Sequence, residues 1–164
     1  MLEHIRKAIG SENLTPLRSR AGCRVDMTGA PSPRVVVDVD VAFPAHGVAG
    51  QKCDYILFYV DAAQNLVVVP IELKRGSVNI SQALSQLQGG ADFAARFVPA
   101  RRNCHIICRP LLFHGGRVHH LKQKRKRRNE RSRATVRFRG GDFHIKTARC
   151  GRTRNLANGL FAES

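Results

Sequence analysis

The sequence predicts an α/β protein with a central mixed sheet, an αβββαβ order of core elements, flanking helices and a basic, β-rich C-terminal extension. Two observations predict this. Apolar residues follow a helical spacing near the N terminus and again in the middle of the chain, with strand-like apolar runs between and after them. The charge of the 164-residue chain is also divided: residues 1–100 hold ten Lys and Arg against nine Asp and Glu, whereas residues 101–164 hold eighteen against three. We therefore expect a core over residues 1–115 and a basic extension of the same domain over residues 116–164.

The composition excludes several classes of protein. A hydrophobic fraction of 43% excludes a wholly disordered chain. No apolar run approaches the roughly 20 residues of a membrane helix, and the N terminus lacks the apolar core of a secretory signal, so we expect no membrane partner. Five irregularly spaced cysteines favour reduced thiols and a cytoplasmic location. The net charge of +16 indicates a polyanionic partner such as nucleic acid.

The first elements are a helix, a loop and a strand. Leu2, Ile5 and Ile9 are spaced as on one face of a helix, and Gly10 is a suitable stop. Residues 11–33 are rich in Pro, Gly and Ser and are predicted to be mostly loop. Residues 34–43 alternate, with four valines on one face and Val36, Asp38 and Asp40 on the other, which is typical of a half-buried strand.

A hairpin is predicted to follow. Residues 53–61 and 66–74 are rich in branched and aromatic residues and are separated by a tight turn at residues 62–65. The second of these strands is nearly all apolar, so we expect it to be buried on both faces. Pro70 cannot donate a ladder hydrogen bond, which predicts a bulge or another irregularity just before Ile71.

A second helix and further short strands complete the expected order. Ser77 or Asn79 can cap a helix that extends towards Pro99, although Gly89-Gly90 weakens the case for an unbroken helix. Residues 103–113 form a fourth predicted strand. The later short elements are expected at residues 134–139 and 143–147, as strands around Gly140-Gly141, and at residues 155–161, as a helix.

Asp54, Glu72 and Lys74 are the residues most indicative of chemistry. If the two hairpin strands pair, Asp54 lies beside Glu72 and Lys74, which share a strand face because side chains alternate with period two. Two neighbouring carboxylates repel each other, and a divalent cation such as Mg²⁺ stabilises them. A nearby lysine can orient or help deprotonate a metal-bound water, which suits metal-assisted phosphodiester hydrolysis.

The hairpin register decides whether Asp54 shares that face. A two- or four-residue turn places Asp54 opposite Leu73 or Arg75, whereas a three-residue loop or a bulge at Pro70 restores the shared face. In the alternative interpretation, Glu72 and Lys74 are surface residues at a strand end, and Asp54 only caps a turn.

Asp54 followed eighteen residues later by Glu72-Leu73-Lys74 resembles the signature of the PD-(D/E)xK nuclease superfamily. The predicted order of elements over residues 1–113 is similar to the core of that superfamily, although Cys53 stands where many members have proline. The resemblance implies that Asp54, Glu72 and the Leu73 carbonyl hold Mg²⁺ or Mn²⁺. It also implies that Lys74 acts on the attacking water.

The same resemblance suggests further residues. Many of these families use a glutamine on the helix after the motif, where Gln86 is preferred to Gln82. Some place an acid on the first helix, where Glu3 stands. Compact cores of this kind often act as dimers, so a homodimer is compatible with the chain.

The densest basic run is expected to contact nucleic-acid phosphates without reading sequence. The alternatives are a solvated loop without a specific partner and, in a eukaryote, a nuclear-import signal. The predicted phosphate-binding residues are Lys122, Lys124, Arg125, Lys126, Arg127, Arg128, Arg131 and Arg133.

Two other groups are weaker candidates. Cys104 and Cys108, with nearby histidines, invite a zinc site, but on one strand they lie about 13 Å apart, so buried core thiols are favoured. Asp38 and Asp40 share a predicted strand face and are retained as possible metal helpers.

These expectations converge on a Mg²⁺- or Mn²⁺-dependent endonuclease that acts on DNA rather than RNA. The main alternative is a non-catalytic DNA- or RNA-binding protein, such as a subunit of a larger nucleoprotein assembly. A basic regulatory or toxin-like protein is a third option.

Overall fold

Four α-helices and ten β-strands are present in the parts of the chain that the computed structural model describes, which are residues 1–20, 22–99, 105–119, 134–151 and 155–161. In chain order they are α1 (Leu2–Ile9), β1 (Arg34–Asp38), α2 (Val39–Ala45), β2 (Tyr55–Val60), β3 (Leu66–Lys74), β4 (Val78–Asn79), α3 (Ile80–Ala95), β5 (Ile106–Cys108), β6 (Leu111–His114), β7 (Val118–His119), β8 (Thr135–Phe138), β9 (Gly141–His144), β10 (Lys146–Arg149) and α4 (Leu156–Phe161). A short 3₁₀ helix at Ser11–Asn13 follows α1.

The central sheet has the strand order β1-β2-β3-β6-β10, and β5 also pairs with β3. Strand β2 is antiparallel to β1 and to β3, whereas β6 is parallel to β3 and to β10. This mixed sheet with flanking helices confirms the predicted fold class. Because β3, β6 and β10 run in the same direction, their carboxyl ends lie at the same edge of the sheet.

A separate apolar core covers each face of the sheet. Helices α1 and α3 cover one face, with Ile5 and Leu87 fully buried there. The loop around Leu17 and helix α4 cover the other face, where Leu156 and Leu160 are buried. Strand β3 is therefore buried on both faces along almost its whole length, which explains its nearly continuous apolar sequence.

The predicted strand over residues 34–43 is only half correct. Strand β1 ends at Asp38, whose side chain accepts a hydrogen bond from the Asp40 backbone N–H at 3.0 Å and caps helix α2. Val41, expected to point inwards, is exposed on α2. Asp38 and Asp40 consequently do not share a strand face. The alternating pattern was misleading here because the local cap outweighs the strand preference of the valines.

The glycine pair in α3 does not break the helix. A Cβ added to Gly89 would lie 1.9 Å from the carbonyl oxygen of Gln51, and one added to Gly90 would lie 2.3 Å from the sulfur of Cys53. These glycines allow α3 to pack closely against the chain leading into β2. The lower helix propensity of glycine is outweighed by this contact.

The irregularity expected at Pro70 lies in the neighbouring strand. Pairing between β2 and β3 is continuous, with Ile56 opposite Pro70. The predicted fourth strand is instead divided into β5 and β6, and it is interrupted at residues 109–110 beside this part of β3. Residues 103 and 104, also assigned to that strand, lie outside the described residues.

The C-terminal part confirms the expected hairpin and helix. Strands β8 and β9 pair around Gly140, and α4 begins at Leu156. The predicted strand at residues 143–147 corresponds to two strands, β9 and β10, and the second of these joins the central sheet. In the described parts of the chain, no helix is long and apolar enough to cross a membrane.

The expectation that all cysteines are reduced is wrong for one pair. Cys23 and Cys150 form a disulfide between residues 127 apart in sequence. Cys53 and Cys108 are free and buried, as expected for core thiols, and Cys104 lies outside the described residues. The disulfide could not be read from cysteine spacing, because only the fold brings the loop after Leu17 beside the end of β10.

Candidate active site

The β2–β3 register brings Asp54 next to Glu72. Tyr55 pairs with Ile71, so the residue before Tyr55 lies opposite Glu72, and the Asp54 N–H donates to the Ile71 carbonyl at 3.0 Å. Residues 61–65 separate the last paired residues of the two strands, and this odd-numbered loop produces the shared face. No bulge at Pro70 is needed.

Both carboxylate oxygens of Asp54 have partners. Oδ2 accepts a hydrogen bond from the Leu73 N–H at 2.7 Å, and Oδ1 lies 3.3 Å from Nε of Arg20. Burial raises the pKa of Asp54, and the Leu73 N–H and the Arg20 guanidinium partly oppose this rise. Leu73 thus positions Asp54 through its amide, a role that the sequence did not predict.

Glu72 is the most deeply buried acid of the site, with only 2% of the residue exposed. Its Oε1 lies 2.6 Å from Nζ of Lys74, whereas Oε2 is buried without a hydrogen-bond partner among the described residues. Burial, and then the negative charge of Asp54, raise the pKa of Glu72 to about 7. Burying a carboxylate oxygen without a partner costs desolvation free energy, and a hydrogen-bond donor or a cation at this oxygen would offset that cost.

Gln86 lies on α3 next to the chain that leads into Asp54. Its Nε2 donates to the Lys52 carbonyl at 3.3 Å, and its Oε1 is buried without a partner among the described residues. Gln82 is exposed. Glu3 has an 84% exposed side chain that pairs with Arg6 at 3.5 Å. The structure therefore places Gln86, and not Gln82 or Glu3, close to the chain carrying Asp54.

Arg20 is the residue of this region that the sequence did not reveal. Its guanidinium lies 3.1 Å from Asp40 and 3.6 Å from Asp38, in addition to its contact with Asp54. Lys52 contacts Asp40 from another side at 2.9 Å. Arg20 lies in a loop without periodicity, so no sequence signal could have placed it among these aspartates.

The oxygen ligands of the site suit the divalent cation that the sequence predicts. The described residues include no group of three or more His, Cys, Asp or Glu side chains that could hold a metal. Asp54 and Glu72 nevertheless supply two neighbouring carboxylates, and Glu72 Oε2 is a buried oxygen with no hydrogen-bond partner in the described parts of the chain. Mg²⁺ retains several waters and often uses only one or two protein carboxylates. The residues therefore fit a partly hydrated Mg²⁺ or Mn²⁺ ion.

The weaker zinc hypothesis gains no support. Cys108 is a buried thiol whose pKa is raised to about 12 by burial, and among the described residues it belongs to no group of three or more His, Cys, Asp or Glu side chains that could hold a metal. Burial also raises the pKa of Cys53. His114 Nδ1 is already in hydrogen-bond contact with the Gly116 carbonyl at 2.7 Å. Cys104 and His120 lie outside the described residues.

The predicted phosphate-binding run, from Lys122 to Arg133, lies entirely outside the described residues. Exposed basic residues are also found in the described part, close to the carboxyl ends of the parallel strands. Arg75 is the first residue after β3, and Arg149 is the last residue of β10. His114 lies between them, opposite both Lys74 and Arg149. Arg75 and Arg149 thus add positive charge at the carboxyl ends of β3 and β10, and His114 between them is buried.

The chain was compared with known proteins. No protein-family model, no curated protein and no solved structure matches it. The interpretation of the site therefore rests on its own residues and their geometry.

Proposed function

We propose that this protein is a Mg²⁺- or Mn²⁺-dependent nuclease that hydrolyses phosphodiester bonds in DNA, with an active site of the PD-(D/E)xK type. The observation that carries this proposal is the buried Oε2 of Glu72, which lies beside Asp54 and Lys74 and has no hydrogen-bond partner among the described residues. Purely structural ion pairs do not need a second acid next to such an oxygen. A cation bound between the two carboxylates removes both their mutual repulsion and the unmet polar group.

In this proposal each residue has a defined task. Asp54 and Glu72 would hold the cation through carboxylate oxygens, and the Leu73 carbonyl would be a further ligand. When bound, the ion polarises the scissile phosphate and lowers the pKa of a coordinated water. The Leu73 N–H fixes Asp54 Oδ2 and so orients its carboxylate. The ammonium of Lys74, held by Glu72 Oε1, orients the attacking water and stabilises negative charge on the phosphate.

The basic residues supply affinity for the nucleic-acid backbone. Arg75 and Arg149 are exposed at the carboxyl ends of β3 and β10, and the run from Lys122 to Arg133 adds a high density of charge in the sequence. Aromatic residues make up only 6% of the chain, which does not favour base stacking on single strands. Contacts to backbone phosphates, without reading of the base sequence, are therefore the favoured mode of binding.

Cleavage of supercoiled plasmid DNA in Mg²⁺ or Mn²⁺ tests the catalytic assignment. We expect Glu72→Gln and Lys74→Gln each to reduce the cleavage rate at least about 100-fold, because each removes a group acting on the reacting atoms. Asp142→Asn and Lys7→Gln are matched controls, since both residues are exposed and lie outside the site. Unchanged cleavage by both site variants would contradict the assignment, as would equal cleavage in EDTA.

A non-catalytic nucleic-acid-binding protein is the second candidate. The observation that favours it is that eighteen of the 28 basic residues lie in residues 101–164, away from the acidic site in sequence. If this alternative holds, DNA binding in EDTA will survive Glu72→Gln, and no divalent ion will produce cleavage by the wild-type protein. The homodimer and the cytoplasmic or nuclear location remain predictions.

A further inference from the structure

Arg20 lies at the centre of an acidic cluster that adjoins the candidate metal ligands. Its Nε is 3.3 Å from Asp54 Oδ1, its Nη1 is 3.1 Å from Asp40 Oδ2, and its Nη2 is 3.6 Å from Asp38 Oδ1. The guanidinium also lies over the Tyr55 ring, 5.0 Å from its centroid. Only 33% of the Arg20 side chain is exposed, so the guanidinium has neighbouring groups on several sides.

The loop carrying Arg20 is attached to the sheet at defined points. The Cys23 N–H donates to the Arg20 carbonyl at 3.0 Å, and Cys23 forms the disulfide with Cys150. The Cys150 N–H in turn donates to the His114 carbonyl at 2.9 Å. Ser19 Oγ bonds both the N–H and the carbonyl of Val25 at 2.8 Å. Arg20 is thus presented to the aspartates by a loop tied to the carboxyl ends of β6 and β10.

Arg20 lies against one of the two oxygens that Asp54 can offer to a metal ion. The Leu73 N–H engages Asp54 Oδ2, and Arg20 lies against Asp54 Oδ1. Mg²⁺ and Mn²⁺ bind carboxylate oxygens at about 2.1 Å, so an ion held by Asp54 and Glu72 would lie within a few ångström of the guanidinium. Repulsion between a divalent ion and Arg20 at that distance is strong, even with water-like screening.

We propose that Arg20 is a competing cation that occupies Asp54 in the metal-free protein and releases Asp54 Oδ1 when a divalent ion binds. This inference rests on the proposed function. Arg20 Nη1 lies 3.1 Å from Asp40 Oδ2 and Nη2 lies 3.6 Å from Asp38 Oδ1, so Arg20 keeps acidic neighbours after it leaves Asp54. Arg20 is therefore a positioning residue that sets the affinity of the site for the ion. Its effect is to weaken ion binding.

Loss of the Arg20 charge should change the Mn²⁺ affinity of the site in a direction that a purely structural role of Arg20 does not predict. Removing the positive charge of Arg20 frees Asp54 and removes the repulsion, so Mn²⁺ should bind more tightly. If Arg20 only supported the fold, its loss would weaken ion binding or leave it unchanged. A Coulomb interaction over about 5 Å in water-like screening predicts at least about a tenfold change in the dissociation constant.

Direct Mn²⁺ binding to the full chain, measured by titration calorimetry, tests this. The uncharged variants are Arg20→Gln and Arg20→Met, the second of which keeps an apolar stem over Tyr55. Arg20→Lys retains the charge. Arg34→Gln is the matched control, because Arg34 is an exposed arginine whose side chain donates to the backbone carbonyls of Ala30 and Pro31. Circular dichroism establishes that each variant is folded, and either uncharged variant is sufficient for the test.

We expect at least about tenfold tighter Mn²⁺ binding by the uncharged variants, affinity close to wild type for Arg20→Lys and Arg34→Gln, and loss of binding in Glu72→Gln. Equal or weaker binding by the uncharged variants, with binding still lost in Glu72→Gln, would overturn the role of Arg20 and leave the proposed metal site intact. Absence of Mn²⁺ binding by the wild type and both uncharged variants would overturn both proposals.

Discussion

Breaking the disulfide between Cys23 and Cys150 should strongly destabilise the protein. The two residues are 127 positions apart, and the chain-entropy relation for a loop of this length corresponds to about 5 kcal/mol of unfolding free energy. We expect about 3–5 kcal/mol, because residual structure in the unfolded chain reduces the entropic effect. Small domains have total stabilities of only about 5–15 kcal/mol, so this loss is a large share.

Urea unfolding followed by circular dichroism measures the effect, with and without a reductant. Cys23→Ser/Cys150→Ser should match the reduced wild-type protein, and the reductant should not change the stability of this double variant. For a urea dependence of about 2 kcal/mol per molar, the wild-type midpoint should fall by about 2 M on reduction. A fall of less than about 0.5 M, or an equal fall in the double variant, would refute the crosslink.

Three further substitutions test the packing that supports the site. Gly90→Ala should lower the free energy of unfolding by at least about 2 kcal/mol despite the better helix propensity of alanine, because the added methyl group meets the Cys53 sulfur. Gly76→Ala is the control, since a methyl group there has open space and should leave stability within about 0.5 kcal/mol of wild type. Equal melting temperatures of the two variants would contradict the close approach of α3. Asn79→Ala removes the side-chain cap of α3 and should cost about 1 kcal/mol in urea unfolding, and no loss would argue against the cap. Phe93→Ala removes a buried ring that contacts three other aromatic rings, so the free energy of unfolding in urea should fall by about 3–5 kcal/mol. A fall of less than about 1 kcal/mol would count against this packing.

The predicted elements that the structure confirms are those defined by near neighbours. Helix α1 follows from three apolar residues at helical spacing, and β3 follows from an apolar run between turn signals. The side-by-side arrangement of Glu72 and Lys74 follows from the two-residue period of a strand. In each case the pattern and the structure depend on the same local geometry.

The errors occur where distant contacts or local caps outweigh such patterns. Asp38 starts a helix instead of continuing a strand, because its side chain caps the Asp40 N–H. Gly89 and Gly90 remain inside a helix because α3 lies against the chain before β2. Propensity alone does not contain the information about either contact.

The sequence by itself determined the α/β class, the order of the main elements and the identity of Asp54, Glu72 and Lys74 as candidates, because periodicity and residue chemistry are local properties of the chain. Only the tertiary structure decided that Asp54 faces Glu72, that one oxygen of Glu72 is buried without a described partner and that Arg20 contacts Asp54. These features depend on loop length, burial and contacts between segments far apart in sequence. Their energies arise only when the chain has folded and water has been excluded from the space between those segments.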